Sequence, residues 1–189
     1  KRPYDDRLMT VMQKLTQALV EETNARVGYT QSDEITLIFY EPNPTSSIFF
    51  DGKHQKLTSI LASMTTLYFS RFVQSYLPEK MHDEAFFDCR GFDVPNLDEA
   101  GNVLIWREQD ATRNSIQSAA RALMSHKKCH GLDTKEMQYA MLTEHNVNWN
   151  DYHPDFKRGS YFAKRKEVRK FTSAEMEKLP PKHEAHANP

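Results

Sequence analysis

The segment 27–40 constrains this chain more than any other. Two β-prone runs, 27–30 and 35–40, flank Gln31-Ser32-Asp33-Glu34. Such runs around a short polar break predict a β-hairpin, joined here by a four-residue connection. On one side, Leu8, Met12, Leu15 and Leu19 fall at steps of four, three and four, which puts them on one helix face. Pro3, Asp5 and Asp6 fit that helix's start, where acidic groups meet the positive end of the dipole. On the other side the spacing predicts a long helix over 56–76, burying Leu57, Ile60, Leu61, Met64, Leu67, Tyr68 and Phe72. A hairpin enclosed by two amphipathic helices must bury one face beneath them. The fold class is therefore α+β, a largely antiparallel sheet with packed helices.

Farther along, a strand is predicted over 86–94, closed by Pro95-Asn96, then a helix over 102–125 carrying Trp106, Ile116, Ala120 and Leu123. Asp133 with Glu136 three positions on reads as the capping box of a shorter helix. A loop follows Trp149, and a last strand is expected over 158–166. A length of 189 residues suits one domain, placed here at 1–170. Residues 171–189 are polar and proline-bearing and read as a peripheral tail.

Composition serves mainly to exclude. With 39% hydrophobic and 11% aromatic residues, the chain is not compositionally disordered. No apolar run approaches membrane-spanning length and no signal peptide opens the sequence, so no membrane association is expected. A net charge of −1 gives no global basic field, so any nucleic-acid contact must come from local patches. Cys89 and Cys129 lack C-x-x-C spacing, which predicts reduced thiols and a cytoplasmic location.

Asp33-Glu34 is the sharpest chemical feature. A hairpin turn holding two carboxylates against a sheet offers the hard oxygen ligands that Mg²⁺ takes, although acids in hairpin turns are common and most bind nothing. Lys53 and Lys56 share a face at the start of the long helix, where basic side chains and free N–H groups could grip a triphosphate; alone, the pair reads as an ordinary solvated face. Between 157 and 170, seven basic residues stand against the single acid Glu167, with Tyr161 and Phe162 interleaved. That pattern fits either an RNA-backbone patch or a solubilising strand. His126, Cys129 and His130 have no second ligand pair at finger-like spacing and read as a surface loop. No nucleophilic triad is legible.

Several of these pieces together resemble one family, the tRNA-His guanylyltransferases. Arg2-Pro3-Tyr4-Asp5-Asp6-Arg7-Leu8 is similar to their K-P-N-D-x-R-A-L segment and Gly28-Tyr29-Thr30-Gln31-Ser32-Asp33-Glu34 to their G-Y-x-Q-S-D-E hairpin. Phe86-Phe87-Asp88-Cys89-Arg90 resembles F-D-x-R, and Trp106-Arg107-Glu108-Gln109-Asp110, followed by Asn114, resembles the W-R-x-x-D helix. Asn146-Val147-Asn148-Trp149-Asn150 resembles N-I-N-Y-N, and Phe156-Lys157-Arg158-Gly159 a basic R-K-G. The resemblance implies a polymerase/cyclase-like palm that adds nucleotides to the 5′ end of tRNA in the 3′-to-5′ direction. It implies two Mg²⁺ ions, GTP and ATP as substrates, and a homotetramer. By the same resemblance, Asp33 and Glu34 are catalytic and metal-binding. Arg2, Asp5, Ser32, Lys53 and Lys56 hold nucleotide or triphosphate. Arg107, Asp110, Asn114, Asn148, Lys157 and Arg158 lie near RNA or phosphate.

Two departures bear on this reading. The family's palm opens with a strand carrying another metal-binding Asp, upstream of the segment matched by Arg2-Pro3, and that strand is expected before Lys1. Thr112-Arg113-Asn114-Ser115 stands where eukaryotic members have H-I-N-N. This resembles the guanylyltransferase-like branch of bacteria, archaea and phages, so templated repair of truncated tRNA 5′ ends competes with guanylate addition to tRNA-His. The rivals are a catalytically inactive RNA- or nucleotide-binding relative and, against the motif blocks, a purine nucleotide cyclase.

Overall fold

The computed structural model describes residues 3–43, 46–165, 172–178 and 180. Helix α1 (Asp6–Thr23) begins where Asp5 caps it, its carboxylate accepting the Arg7 N–H at 3.0 Å. It ends at Asn24, whose left-handed backbone stops the turn. The expected stripe is buried at Met12, Leu15 and Leu19, while Leu8 at its start remains on the surface. Thr16 and Thr23 are also buried, and their hydroxyls donate to the carbonyls of Met12 and Leu19 one turn earlier.

Strands β1 (Val27–Gln31) and β2 (Glu34–Ile38) form the predicted hairpin, but with a tighter turn. Gln31 pairs with Glu34, so only Ser32 and Asp33 connect the strands, and Glu34 belongs to β2. Two-residue connections match strand twist best, and the extra backbone pair outweighs the four-residue loop. Strand β3 (Ser160–Ala163) pairs antiparallel with the other side of β1, giving the order β2-β1-β3 with β1 in the centre. The predicted last strand is thus shorter than expected. Residue 158 ends the short helix α6 (Pro154–Arg158), and residue 166 lies outside the described residues. Helix α1 lies directly on β1 at Gly28, where a Cβ would sit 2.6 Å from the Val20 side chain and 2.8 Å from Thr16.

Helix α2 (His54–Tyr76) packs beside α1 and buries Leu57, Leu61, Thr65 and Val73. Phe69, Phe72, Met64 and Tyr68 pack partly buried against the α1 residues. Leu67, expected inside, is 49% exposed: it lies two residues past Thr65, about 200° round the helix. The strand predicted over 86–94 does not form. The segment is held instead by α2 side chains, with the Phe87 N–H donating to the Thr66 hydroxyl at 3.1 Å and the Phe87 ring edge-on to Phe69. Asn96, expected to close that strand, caps α3 (Leu97–Leu123) by accepting the Glu99 N–H at 2.9 Å.

A second core lies beyond the sheet. Ile116, Ala119, Ala120 and Met124 of α3 and its cap meet Met137 and Met141 of α5 (Thr134–His145) over Trp149. Asp133 and Glu136 form the predicted capping box of α5. His126 and Cys129 bound the one-turn helix α4 (His126–Cys129) and His130 caps its end. This corrects the surface-loop expectation, because Cys129 is buried in the second core. Among the described residues no group of three or more His, Cys, Asp or Glu could hold a metal ion. Both cysteines are free. Most of the predicted tail, 171–189, lies outside the described residues, which include the single turn α7 (Ser173–Met176). No helix among the described residues is long and apolar enough to cross a membrane.

Candidate active site

The turn joining β1 to β2 is strained and braced. Ser32 adopts φ 55, a left-handed conformation that costs a non-glycine residue on the order of 1 kcal/mol. The Thr30 hydroxyl donates to the Glu34 carbonyl at 2.9 Å and closes the tip from below. With β1 central in the sheet, the tip is carried on the most constrained strand.

Two cavities meet at this tip, and Asp33 and Glu34 line both. The first, about 620 Å³, lies between the start of α1, the tip, the end of α2 and α6, and includes Asp5, Ser32 and Asn114 in its wall. The second, about 860 Å³, runs along the outer edge of β2 to the start of α2, the segment 87–97 and α3. Both volumes suit a ligand of nucleotide size. In the first cavity the carboxylates of Asp5, Asp33, Glu34, Glu79, Asp83, Glu84 and Asp155 outnumber the basic groups of Arg7 and Lys80. A triphosphate would be repelled there unless a cation came with it.

The two tip carboxylates differ in their surroundings. Asp33 is exposed and makes no hydrogen bond or ion pair among the described residues. Glu34 pairs with Arg107 of α3, whose side chain is only 19% exposed. Arg107 lies 3.9 Å from Asp110, and Asp110 accepts the Asn114 amide at 3.1 Å. Three residues expected near phosphate therefore form one chain along α3 that ends on a tip carboxylate. Asp5 is held by the Arg7 side chain and backbone, which keep its carboxyl far below the usual carboxylate range.

The remaining expected residues lie elsewhere. Lys53 caps α2 with its amine 3.7 Å from Asp51, and the Lys56 amine sits 4.5 Å over the Phe50 ring. Neither lysine lines the two cavities, although Gly52 and His54, on either side of Lys53, line the second. Lys157 donates to the Asn150 carbonyl at 2.6 Å and lies 5.3 Å over the Trp149 ring. Asn148 accepts the Asn150 N–H, capping the turn that carries Trp149. Arg158 donates to Glu108 at 3.2 Å. Arg2 lies outside the described residues.

Sequence reasoning missed Glu108, which accepts both Arg158 and the Tyr161 hydroxyl. It also missed Tyr29, whose hydroxyl donates to the Arg158 carbonyl at 2.8 Å. These partners are separated by 50 to 129 residues in the chain, so no local pattern announces them. Burial pushes the Tyr161 hydroxyl up to about 12, with Glu108 adding to the shift, and burial raises Tyr29 as well.

Two arms of hard oxygen ligands and no third make the tip unsuited to a self-contained metal cage. They do fit Mg²⁺, which is held by one or two carboxylates with phosphate and water completing its shell.

Residues 1–95 match the family described as tRNAHis guanylyltransferase. The chain superposes on a bacterial tRNA(His) guanylyltransferase-like protein solved in complex with ATP, with a TM-score of 0.81 and 37% identity, covering 87% of this chain and 72% of that one. A bacterial tRNA(His) guanylyltransferase-like protein in complex with GTP gives a TM-score of 0.72 and 32% identity, covering 89% and 69%. An uncharacterised protein of Acanthamoeba polyphaga mimivirus is 32% identical over 173 residues; the match takes in 80% of this chain and 59% of the viral protein.

Proposed function

The chain belongs to the tRNAHis guanylyltransferase family, and from that premise we propose that it adds a nucleotide, typically GMP from GTP, to the 5′ end of tRNA. The observation that carries the proposal is Asp33, an exposed carboxylate without a partner among the described residues at the joint of two nucleotide-sized cavities. Bound at Asp33 and Glu34, two Mg²⁺ ions would supply charge neutralisation for the attacking and leaving oxygens.

This chain's own residues do the rest. Ser32 and the strained turn hold Asp33 outward. Arg107 fixes Glu34 against α3, so the two carboxylates keep a constant relation. Asp5, already anchored by Arg7, meets the nucleotide in the first cavity. Lys53 and Lys56 reach triphosphate by leaving the exposed Asp51 and the half-buried Phe50 ring, partners that give up little when exchanged for phosphate. Asn148, Lys157 and Arg158 contact the RNA backbone. The tRNA 5′ phosphate attacks the α-phosphorus of ATP and releases pyrophosphate, and the 3′-hydroxyl of the incoming nucleotide then attacks the activated 5′ phosphate and releases AMP. A homotetramer and a cytoplasmic location belong to the same reading.

Thr112 and its neighbours favour the guanylyltransferase-like branch and templated 5′-end repair. The test is incorporation of labelled GTP, with ATP and Mg²⁺, into tRNA-His lacking its 5′ guanylate and into other tRNAs truncated at the 5′ end. Addition to both classes is expected. Addition to tRNA-His alone would remove the repair activity, and no addition to either would leave an inactive RNA-binding relative.

A further inference from the structure

Arg158 is held at two points by residues from different parts of the chain. The Tyr29 hydroxyl of β1 donates to its carbonyl at 2.8 Å. Its guanidinium donates to the carboxylate of Glu108, on α3, at 3.2 Å. The same carboxylate accepts the Tyr161 hydroxyl at 3.1 Å, and the Tyr161 ring lies 4.8 Å from that of Tyr29. The four groups close a ring linking β1, β3, the end of α6 and α3. Gly159 locks the backbone between them: its φ of 80 and ψ of −174 suit only glycine, and it lies against the Thr30 carbonyl and the Tyr29 ring.

Register puts this ring at the end of the sheet that carries the carboxylates. Ser160 pairs with Thr30, so Arg158 and Gly159 lie beside the part of β1 that runs into Ser32 and Asp33. Adjacent residues of α3 serve both places, with Arg107 on Glu34 and Glu108 on Arg158.

Glu108 does not consume the arginine. The Arg158 side chain is 62% exposed against 32% for Glu108, and a guanidinium has five N–H donors, of which the pair uses one. A long exposed side chain samples many rotamers, and ordering it costs affinity when it binds. A carboxylate gripping its inner edge removes much of that cost beforehand. Tyr161 shares the carboxylate without competing for charge, because its raised pKa of about 12 keeps its hydroxyl a donor.

We propose that Glu108 is a positioning residue that orients the Arg158 guanidinium so that its outward N–H groups receive a phosphate of the RNA substrate. The inference rests on the reading of Arg158 as an RNA contact.

A double-mutant cycle on the full chain tests it, with KM and kcat for tRNA and the melting temperature measured for E108A, E108Q, R158A and E108A/R158A. R158A and E108A should each raise KM for tRNA about threefold to fivefold, the range a surface ion pair can reach. In both, kcat should change less than about twofold. E108Q keeps an acceptor without the charge and should fall between, and it carries the same cycle if E108A does not fold. In the R158A background, removal of Glu108 should leave KM unchanged. An equal KM effect of E108A with and without Arg158 would make Glu108 a packing residue and overturn the inference alone. Unchanged KM in R158A would overturn the RNA-contact reading and the inference with it.

Discussion

The hairpin tip and the α6–β3 junction stand at the same end of the sheet and are built on opposite plans. At the tip, Asp33 is left without a partner among the described residues, on a turn whose backbone is strained to present it. At the junction, every charged group expected to meet RNA already has a protein partner: Lys157 has Asn150 and Trp149, and Arg158 has Glu108. The difference follows from charge. A lone carboxylate in an acidic cavity is unfavourable until a cation arrives, so it is best kept exposed and rigid. Basic side chains that bind a flexible polyanion gain more from being ordered in advance.

The sharpest way to break this contrast is Asp33→Ala. Nucleotide incorporation should fall by more than about a hundredfold, beyond the loss that removal of a mere supporting partner of a metal ligand brings. The melting temperature should move by less than about 2 °C, since the side chain is exposed and makes no hydrogen bond or ion pair among the described residues. Activity that survived would take the tip out of the chemistry and leave two surface features with no functional difference.

Gly159→Ala should do the reverse. A Cβ there would lie 2.5 Å from the Thr30 carbonyl oxygen and 2.7 Å from the Tyr29 ring, on a backbone only glycine adopts. Destabilisation of about 2–3 kcal/mol is expected in urea unfolding. An unchanged midpoint would mean that the junction is pliable and does not order its basic groups.

Tyr161→Phe should give the smallest effect. In the folded chain this hydroxyl keeps its proton up to about 12, against 10.0 for an ordinary tyrosine. The unfolded chain releases its proton first, so folded-state stability is complete below about pH 10 and declines as pH climbs to about 12. The phenylalanine variant should show a shallower decline over that window in pH-dependent melting. An identical slope would show that Glu108 and burial do not act on this group.

Sequence pattern was a good guide wherever structure is local. The capping box at Asp133 and Glu136 is present, as are the stripe of Met12, Leu15 and Leu19 and the hairpin, the last with a turn two residues shorter than expected. The capping box and the turn rest on contacts within a few residues, and the stripe's periodicity is local although its burial is completed by Ile35, Met64 and Phe69. The strand expected over 86–94 failed because a strand needs a partner, and partners are not written beside it; Thr66 and Phe69 of α2 took the place of a ladder. Cys129 was misplaced for a similar reason, since its polar neighbours suggested a surface while α3 and α5 closed over it. At the site, the carboxylate pair was legible because Asp33 and Glu34 are adjacent at a turn. Arg107 was legible only through its family resemblance, and its attachment to Glu34, 73 residues away in the chain, was not.

By itself, then, the order of residues determined where helices and the tight turn lie and where the acids and bases are concentrated, because backbone preference and side-chain periodicity act over one or two turns of chain. Tertiary structure alone decided which charges remain open and which are held. That outcome depends on distances between elements: α3 reaching the tip through Arg107 and the junction through Glu108, and β1 bringing Tyr29 under Arg158. Hydrogen bonds are lost beyond about 3.5 Å and exposed charges are screened over about 10 Å, so both respond to that assembly and not to position along the chain.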